Sequence, residues 1–234
     1  MKTFEYWYPW TSNFEWMLPD GEEMMQNQFS ILDEQIDTVL DALQWNKDGN
    51  QRTCIQAGGA MGMYPLRLSY HFLKTYTFEP LIANLECLHA NLSQDKLGNE
   101  IVIAPCPLWS EPGVKMKMTY SKDVKNSYGA HHVAKKHHAK VADEEVSTAT
   151  IDEYALEEVD LIWLDIEGAE YYALKGACWT VSHNRPVVVV ENRWLPQMRQ
   201  FGVKQGDAVR WLCSAWGYKP WGTTHGDTIL VPER

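Results

Sequence analysis

Residues 54–64 run Cys-Ile-Gln-Ala-Gly-Gly-Ala-Met-Gly-Met-Tyr. This order predicts a short apolar strand that enters a glycine-rich turn, and the apolar residues Leu66, Leu68 and Phe72 predict a helix after it. Glycine permits a tight turn and lets a ligand approach the backbone closely. The helix would direct its free N–H groups at that ligand. An ordinary strand–helix turn without a ligand would explain the glycines equally well. The segment that follows distinguishes the two interpretations.

A second strand is predicted at residues 74–78, and it ends at Glu79 and Pro80. A carboxylate about 20 residues beyond a glycine turn is placed to accept hydrogen bonds from two ribose hydroxyls. The two segments therefore predict half of a nucleoside-cofactor site, for a dinucleotide or for S-adenosylmethionine. A dinucleotide site requires Gly-x-Gly-x-x-Gly, and the spacing of Gly58, Gly59 and Gly62 departs from that pattern.

Three blocks of the chain carry a family resemblance. They are residues 56–62 (Gln-Ala-Gly-Gly-Ala-Met-Gly), residues 78–80 (Phe-Glu-Pro) with Asn91-Leu92 after them, and residues 159–170 (Val-Asp-Leu-Ile-Trp-Leu-Asp-Ile-Glu-Gly-Ala-Glu) with residues 174–177 (Leu-Lys-Gly-Ala). They resemble the FkbM-type methyltransferases, a family that uses S-adenosylmethionine and has the class I Rossmann-like fold. The third block is the most specific, because Asp-x-Glu-Gly-x-Glu after an apolar strand seldom occurs by chance.

The resemblance implies an α/β fold, with a doubly wound, mostly parallel seven-stranded sheet and an antiparallel edge strand. The alternation of strands and helices along the chain indicates the same architecture. We expect residues 51–234 to form this domain, with a basic insertion at about residues 113–140, and residues 1–50 to form an aromatic segment and a covering helix. Apolar residues recur every three or four positions from Glu22 to Trp45, which predicts that helix.

Aromatic residues are concentrated between residues 3 and 16. We predict that they pack over the domain as a cap; the alternative is a stacking platform for sugar rings or bases. They are Phe4, Tyr6, Trp7, Tyr8, Trp10, Phe14 and Trp16.

The net charge of −10 is unevenly distributed. Seven lysines and one acid, Asp123, lie between Gly113 and Lys140. A positive segment on an acidic body suggests attraction for a small anionic acceptor, although a solvated loop would have the same composition. The histidine pairs of this segment, which begin with His131 and His132, are candidate metal ligands by residue type. No cysteine accompanies them, so we predict no metal and treat both as candidate substrate contacts.

The compartment is predicted from the cysteines and the hydropathy. The five cysteines have no Cys-x-x-Cys spacing and are expected to be reduced. The chain has no apolar run of about 18 residues, and its N-terminus lacks the apolar core of a secretory signal. We therefore expect a cytoplasmic protein without a membrane partner.

Four acids from distant parts of the sequence follow predicted strands: Glu79, Asp165, Glu167 and Glu191. Ligands bind beyond the carboxyl ends of parallel strands in such sheets. Carboxylates are costly to collect there unless they bind something. The sequence therefore predicts the binding site at this edge.

The resemblance implies roles for these residues. Glu79 would bind the ribose, and Asp165 would orient the ammonium of the cofactor or accept a proton from an attacking hydroxyl, with Glu167 as a second catalytic candidate or as a cap of the following helix. Glu191 and Asn192 are candidate substrate contacts. The residues assigned to the cofactor are Gln56, Gly58, Gly59, Ala60, Gly62, Met63, Glu79, Pro80, Leu108 and Asp165.

One position departs from the family pattern, which has an acid where this chain has Gln56. A glutamine provides no negative charge for the ammonium of the cofactor. The expected function is S-adenosylmethionine-dependent O-methylation of a sugar or another small hydroxyl-bearing metabolite. The alternatives are an RNA or DNA methyltransferase, suggested by the basic segment, and a non-catalytic binding protein, suggested by Gln56.

Overall fold

The computed structural model describes residues 1–5, 14–20, 22, 29–47, 51–94, 98–120, 131–134 and 144–233. The strands of this part are β1 (Lys2–Glu5), β2 (Glu15–Leu18), β3 (Thr53–Ala57), β4 (Lys74–Phe78), β5 (Glu100–Ala104), β6 (Lys115–Tyr120), β7 (His131–Ala134), β8 (Glu144–Ser147), β9 (Val159–Leu164), β10 (Val187–Glu191), β11 (Tyr218–Thr224) and β12 (Asp227–Pro232). The helices are α1 (Phe29–Lys47), α2 (Met63–Ser69), α3 (Ile82–Leu92), α4 (Glu170–Lys175), α5 (Cys178–Asn184), α6 (Met198–Phe201) and α7 (Asp207–Trp216). Over the described residues, no helix is both long and apolar enough to cross a membrane.

The main sheet has seven strands in the order β11-β12-β10-β9-β3-β4-β5. The five strands from β10 to β5 are parallel to one another, and β12 is antiparallel to both β10 and β11. The predicted mostly parallel, seven-stranded sheet with an antiparallel edge is therefore confirmed.

Helices cover both faces of this sheet. In β9, Leu161 and Trp163 pack into a core that includes residues of α1 and α2, whereas Ile162 and Leu164 pack into a second core with residues of α4, α5 and α7. Both cores bury the strand, which explains the apolar run from Leu161 to Leu164. The carboxyl ends of β3, β4, β9 and β10 consequently share one edge.

The N-terminal segment contains an antiparallel hairpin of β1 and β2 that the sequence had not predicted. Phe14 and Trp16 are buried in the core that includes α1. The aromatic residues at positions 6–10 lie outside the described part of the chain. The covering helix is described from Phe29 to Lys47; residues 23–28, over which the sequence also predicts helix, lie outside the described residues.

The basic insertion contributes a second sheet, in the order β7-β6-β8. The interpretation of residues 131–134 as part of a loop is wrong, because they pair with β6 and Val133 packs into a buried cluster. Trp109 belongs to the same cluster and stacks on Tyr172 with the ring centroids 4.1 Å apart. Residues 121–130 and 135–143, with most of the lysines, lie outside the described residues.

Candidate active site

The turn after β3 packs directly against the end of β9. The N–H groups of Gly58 and Gly59 both donate to the carbonyl of Phe78, at 3.1 and 3.0 Å. Gly58 has φ +89°, and a Cβ atom there would lie 2.0 Å from the carbonyl oxygen of Asp165. The position therefore requires glycine for both its conformation and its space. The turn and Asp165 are thus immediate neighbours.

Gln56 is committed to holding this turn. Its Nε2 donates to the carbonyl of Gly58 at 3.0 Å, and its Oε1 accepts from the hydroxyl of Thr77 at 2.7 Å. The side chain is buried. Both ends of the amide are satisfied within the protein, so glutamine fits this position without a ligand.

Glu79 also supports the turn. Its Oε2 accepts from the N–H of Ala60 at 2.8 Å, and its Oε1 accepts from the N–H of Leu81 at 2.9 Å. Burial raises the pKa of this carboxyl to about 7, although the two backbone hydrogen bonds favour the charged form. A carboxylate has about four acceptor sites, so Glu79 can still accept hydrogen bonds from a ligand.

Asn91 ties the turn to the N-terminal hairpin, a role that the sequence did not reveal. Its Nδ2 donates to the carbonyls of Met61 and Met17 at 2.8 and 3.0 Å, and its Oδ1 accepts from the N–H of Met17 at 2.7 Å. The side chain is fully buried. Asn91 lies in one of the three blocks that carry the family resemblance, and this was the feature of the sequence that could have indicated its role.

Three of the predicted acids meet at the ends of β9 and β10. Asp165, Glu167 and Glu191 each have an oxygen within 4.8 Å of the others. We name them the acid cluster. Glu79 belongs instead to the turn, so the four acids form two groups on one edge. Glu167 has φ +56°, a left-handed conformation that directs the chain into the following turn.

Arg193 and Gln197 hold the cluster, and both were missed at the sequence level. Arg193 Nε donates to Glu191 Oε1, and its Nη2 lies 3.6 Å from Glu167 Oε1. Gln197 Nε2 donates to Glu167 Oε2 at 3.2 Å. Arg193 stands only two residues beyond a predicted strand end, and this was the signal that could have identified it.

The cluster favours protonated carboxyls. Burial and the neighbouring Asp165 raise the pKa of Glu167 to about 8. The same two causes raise the pKa of Glu191 further, and burial raises the pKa of Asp165. Arg193 opposes all three shifts without cancelling them. Glu167, with its pKa of about 8, can therefore exchange a proton near neutral pH.

The last acid of the Asp-x-Glu-Gly-x-Glu motif has a structural role. Glu170 Oε1 accepts from the N–H groups of Ile166 and Gly168, both at 3.1 Å. Its side chain is buried and closes the turn before α4. It is therefore committed to the backbone.

The remaining predicted site residues lie in different surroundings. Leu108 is buried in a core cluster, and Met63 is buried below the turn. Asn192 Nδ2 donates to Thr228 Oγ1 at 3.0 Å beside the acid cluster. His132 is buried in β7. Contacts of these residues with cofactor or substrate stay predictions, as does the one assigned to His131.

Comparison with known proteins gives a consistent result. The family model described as Methyltransferase FkbM domain matches residues 66–220. The structure of methyltransferase FkbM from Methylobacillus flagellatus KT superposes with a TM-score of 0.52 at 18% identity over 77% of this chain, which spans 43% of that protein. A Staphylococcus aureus protein provisionally described as a caffeoyl-CoA O-methyltransferase gives 0.50 at 13% identity, over 89% of this chain and 91% of the other. No curated protein matches the sequence.

Proposed function

Because the chain belongs to the FkbM methyltransferase family, we propose that it transfers a methyl group from S-adenosylmethionine to a hydroxyl of a sugar or another small polar metabolite. The contact between the glycine turn and Asp165 is the observation that carries this proposal. A cofactor seated on the turn would have the acid cluster beside it. The nucleoside end and the proton-accepting groups are thereby held on one edge of the sheet.

The residues present fit this cofactor. Glu79 keeps acceptor capacity for a ribose hydroxyl beyond its two backbone hydrogen bonds and the one from the Asn84 side chain. S-adenosylmethionine carries positive charge, and the buried carboxyl of Asp165, whose pKa is raised, would be stabilised in its ionised form beside a cation. Gln56 carries no charge, so the carboxylate of Asp165 would provide the negative charge beside the positively charged cofactor.

When bound, the cofactor supplies an electrophilic methyl group, and transfer breaks its sulfur–carbon bond as the acceptor oxygen forms a carbon–oxygen bond. The acceptor hydroxyl must lose its proton. Asp165 or Glu167 can take it, because burial raises the pKa of both carboxyls and so makes each a better proton acceptor. Arg193 and Gln197 hold Glu167 in place for that task. Alignment of the acceptor by the protein supplies much of the acceleration.

A hydroxyl acceptor is favoured by the carboxyl groups, because they are suited to accept its proton. The RNA or DNA alternative rests on the basic insertion, and most of its lysines lie outside the described residues. The non-catalytic alternative rests on Gln56, whose hydrogen bonds keep the turn intact. Neither alternative is favoured by a particular contact of the site.

We expect label from methyl-labelled S-adenosylmethionine to appear in ether linkage on a hydroxyl acceptor. The assay uses a panel of neutral and phosphorylated monosaccharides, small amines and RNA, with mass spectrometry to locate the methyl group. Asp165→Asn should slow transfer at saturating cofactor by at least about 100-fold, because a proton acceptor is lost. Glu157→Gln, at an exposed position away from the cluster, is the control. Label found only on amines or RNA, or unchanged transfer by Asp165→Asn, would contradict the proposal.

A further inference from the structure

We propose that Asp165, Glu167 and Glu191 bind a divalent cation, Mg²⁺ or Mn²⁺, at the carboxyl ends of β9 and β10. The sequence suggested metal binding only at the histidines, and the prediction there was that none binds. The three carboxylates come from two strands that are adjacent only in the folded sheet. Carboxylate oxygens are the donors that these hard cations prefer.

The spacing of the acid cluster suits one ion. Each residue offers an oxygen within 4.8 Å of the other two. Oxygens on opposite sides of one ion are separated by about 4.2 Å for Mg²⁺ and by about 5 Å for the larger Ca²⁺. Neighbouring oxygens around an octahedral Mg²⁺ are closer, at about 3 Å, so the three carboxylates would have to approach one another by up to about 2 Å to bind a single ion.

Glu191 supplies independent support for a ligand. Its Oε1 is paired with Arg193, but its Oε2 is buried and has no hydrogen-bond partner among the described residues. The side chain is only 5% exposed, so water does not replace the missing partner. An unpaired buried carboxylate oxygen is costly. A metal ion held with Asp165 and Glu167 would satisfy it.

The charge around the cluster also calls for a cation. Asp227 lies opposite Glu191 in the sheet and adds a fourth carboxylate, whereas Arg193 is the cation paired with the cluster in the described part of the chain. Gln197 and Arg193 orient Glu167 from outside, as supporting residues do around metal ligands. A divalent ion would displace protons from these carboxyls and offset the negative charge that they then carry.

The position of the cluster separates this ion from the cofactor. The glycine turn follows β3, and Glu191 follows β10, which is two strands away across β9. Adjacent strands are about 4.8 Å apart, so two strand spacings separate Glu191 from the glycine turn. If the cofactor occupies the turn, the side of the cluster nearest Glu191 would face the acceptor. A metal there can lower the pKa of a hydroxyl that binds it. This role rests on the proposed function, but metal binding itself does not.

Titration of the cofactor-free, EDTA-treated protein with Mn²⁺, followed by electron paramagnetic resonance, tests the site. We expect one bound ion per chain, with the affinity lowered at least about tenfold by Glu191→Gln and by Asp165→Asn. Circular dichroism checks that each variant is folded, and Glu157→Gln should bind as the wild type does. The absence of Mn²⁺ binding, or equal binding by the folded variants, would overturn the proposal.

A parallel titration with S-adenosylhomocysteine separates the two proposals. If the protein binds S-adenosylhomocysteine but does not bind Mn²⁺, the metal site is overturned and the methyltransferase proposal stands. Binding of Mn²⁺ that is lost in the cluster variants, without S-adenosylhomocysteine binding, would support the metal site and contradict the proposed cofactor.

Discussion

Glu79 shows how a residue expected to bind a ligand can also hold the protein together. Its type and its place after β4 indicated ribose binding at the sequence level. The structure adds hydrogen bonds from Ala60 and Leu81, which lie on either side of it. Spacing along the chain could not reveal these contacts, because they depend on how the turn folds back over the strand end.

We expect Glu79 to make stability depend on pH. Burial raises its pKa to about 7, whereas an unfolded glutamate titrates at about 4.3. The folded state therefore keeps a proton that the unfolded state releases, so the stabilisation is complete below about pH 4.3 and is lost as the pH rises to about 7. The free energy of unfolding of the wild type should fall relative to that of Glu79→Gln between these limits.

Urea unfolding at about pH 4.5 and about pH 7.5 measures this difference. Glu86→Gln, on the exposed face of α3, should follow the wild type at both values. An identical pH dependence in the wild type and Glu79→Gln would show that Glu79 does not hold the proton in the folded state.

Other residues of the site could not be predicted from the sequence. Arg193 contacts Glu191 from its own strand end and Glu167 from the neighbouring one. The second contact requires the strand order, which no local pattern contains. The acid cluster was predicted as separate catalytic and substrate residues for the same reason.

At the level of elements, periodicity predicted the buried strands well. β9 and β10 are confirmed, because long apolar runs are typical of strands covered on both faces. The sequence Thr-Ile-Asp-Glu at residues 150–153 has the spacing of a capping box, and the structure forms its two hydrogen bonds: Thr150 N–H donates to the Glu153 carboxylate at 2.8 Å, and Glu153 N–H donates to the Thr150 hydroxyl at 3.2 Å. Local sequence patterns therefore predict features that depend on residues close together in the chain.

The missed elements are short and depend on partners. β7 and β8 pair with the two edges of β6 and contribute little apolar surface, chiefly Val133 and Val146. Their sequences, His-His-Val-Ala and Glu-Glu-Val-Ser, have no alternating pattern long enough to detect. Tertiary packing therefore determines these strands.

The contact between the β3 turn and β9 predicts a large cost for Gly58→Ala. A Cβ atom would lie 2.0 Å from the Asp165 carbonyl at a positive φ, so the turn would have to move. We expect a loss of about 3 kcal/mol or more in the free energy of unfolding. Chemical denaturation measures it.

Gly226→Ala is the matched control, because Gly226 also has a positive φ, +102°, but nothing lies within 4 Å of the added Cβ. It should cost about 1 kcal/mol, from conformation alone. Equal losses in the two variants would show that the packing of the turn on β9 is not the cause.

For the whole molecule, the fold was the most predictable property. Strand–helix alternation and three short blocks of resemblance led to the doubly wound sheet, and the strand order and the family match confirm it. The acceptor could not be predicted in the same way. The choice of acceptor depends on the part of the sheet edge near Glu191 and on the basic insertion. Side chains from several elements combine there, and no local pattern describes such a combination.

The proposed function requires that the protein bind S-adenosylmethionine. Isothermal titration with S-adenosylmethionine, S-adenosylhomocysteine and NAD tests this binding most directly. We expect the first two to bind with Kd on the order of micromolar and NAD not to bind. Glu79→Gln should weaken binding about 10- to 100-fold, because hydrogen bonds to a charged group contribute about 1.5–3 kcal/mol. Glu86→Gln should leave it unchanged. Binding of NAD alone, or of neither S-adenosyl compound by the folded protein, would contradict the account.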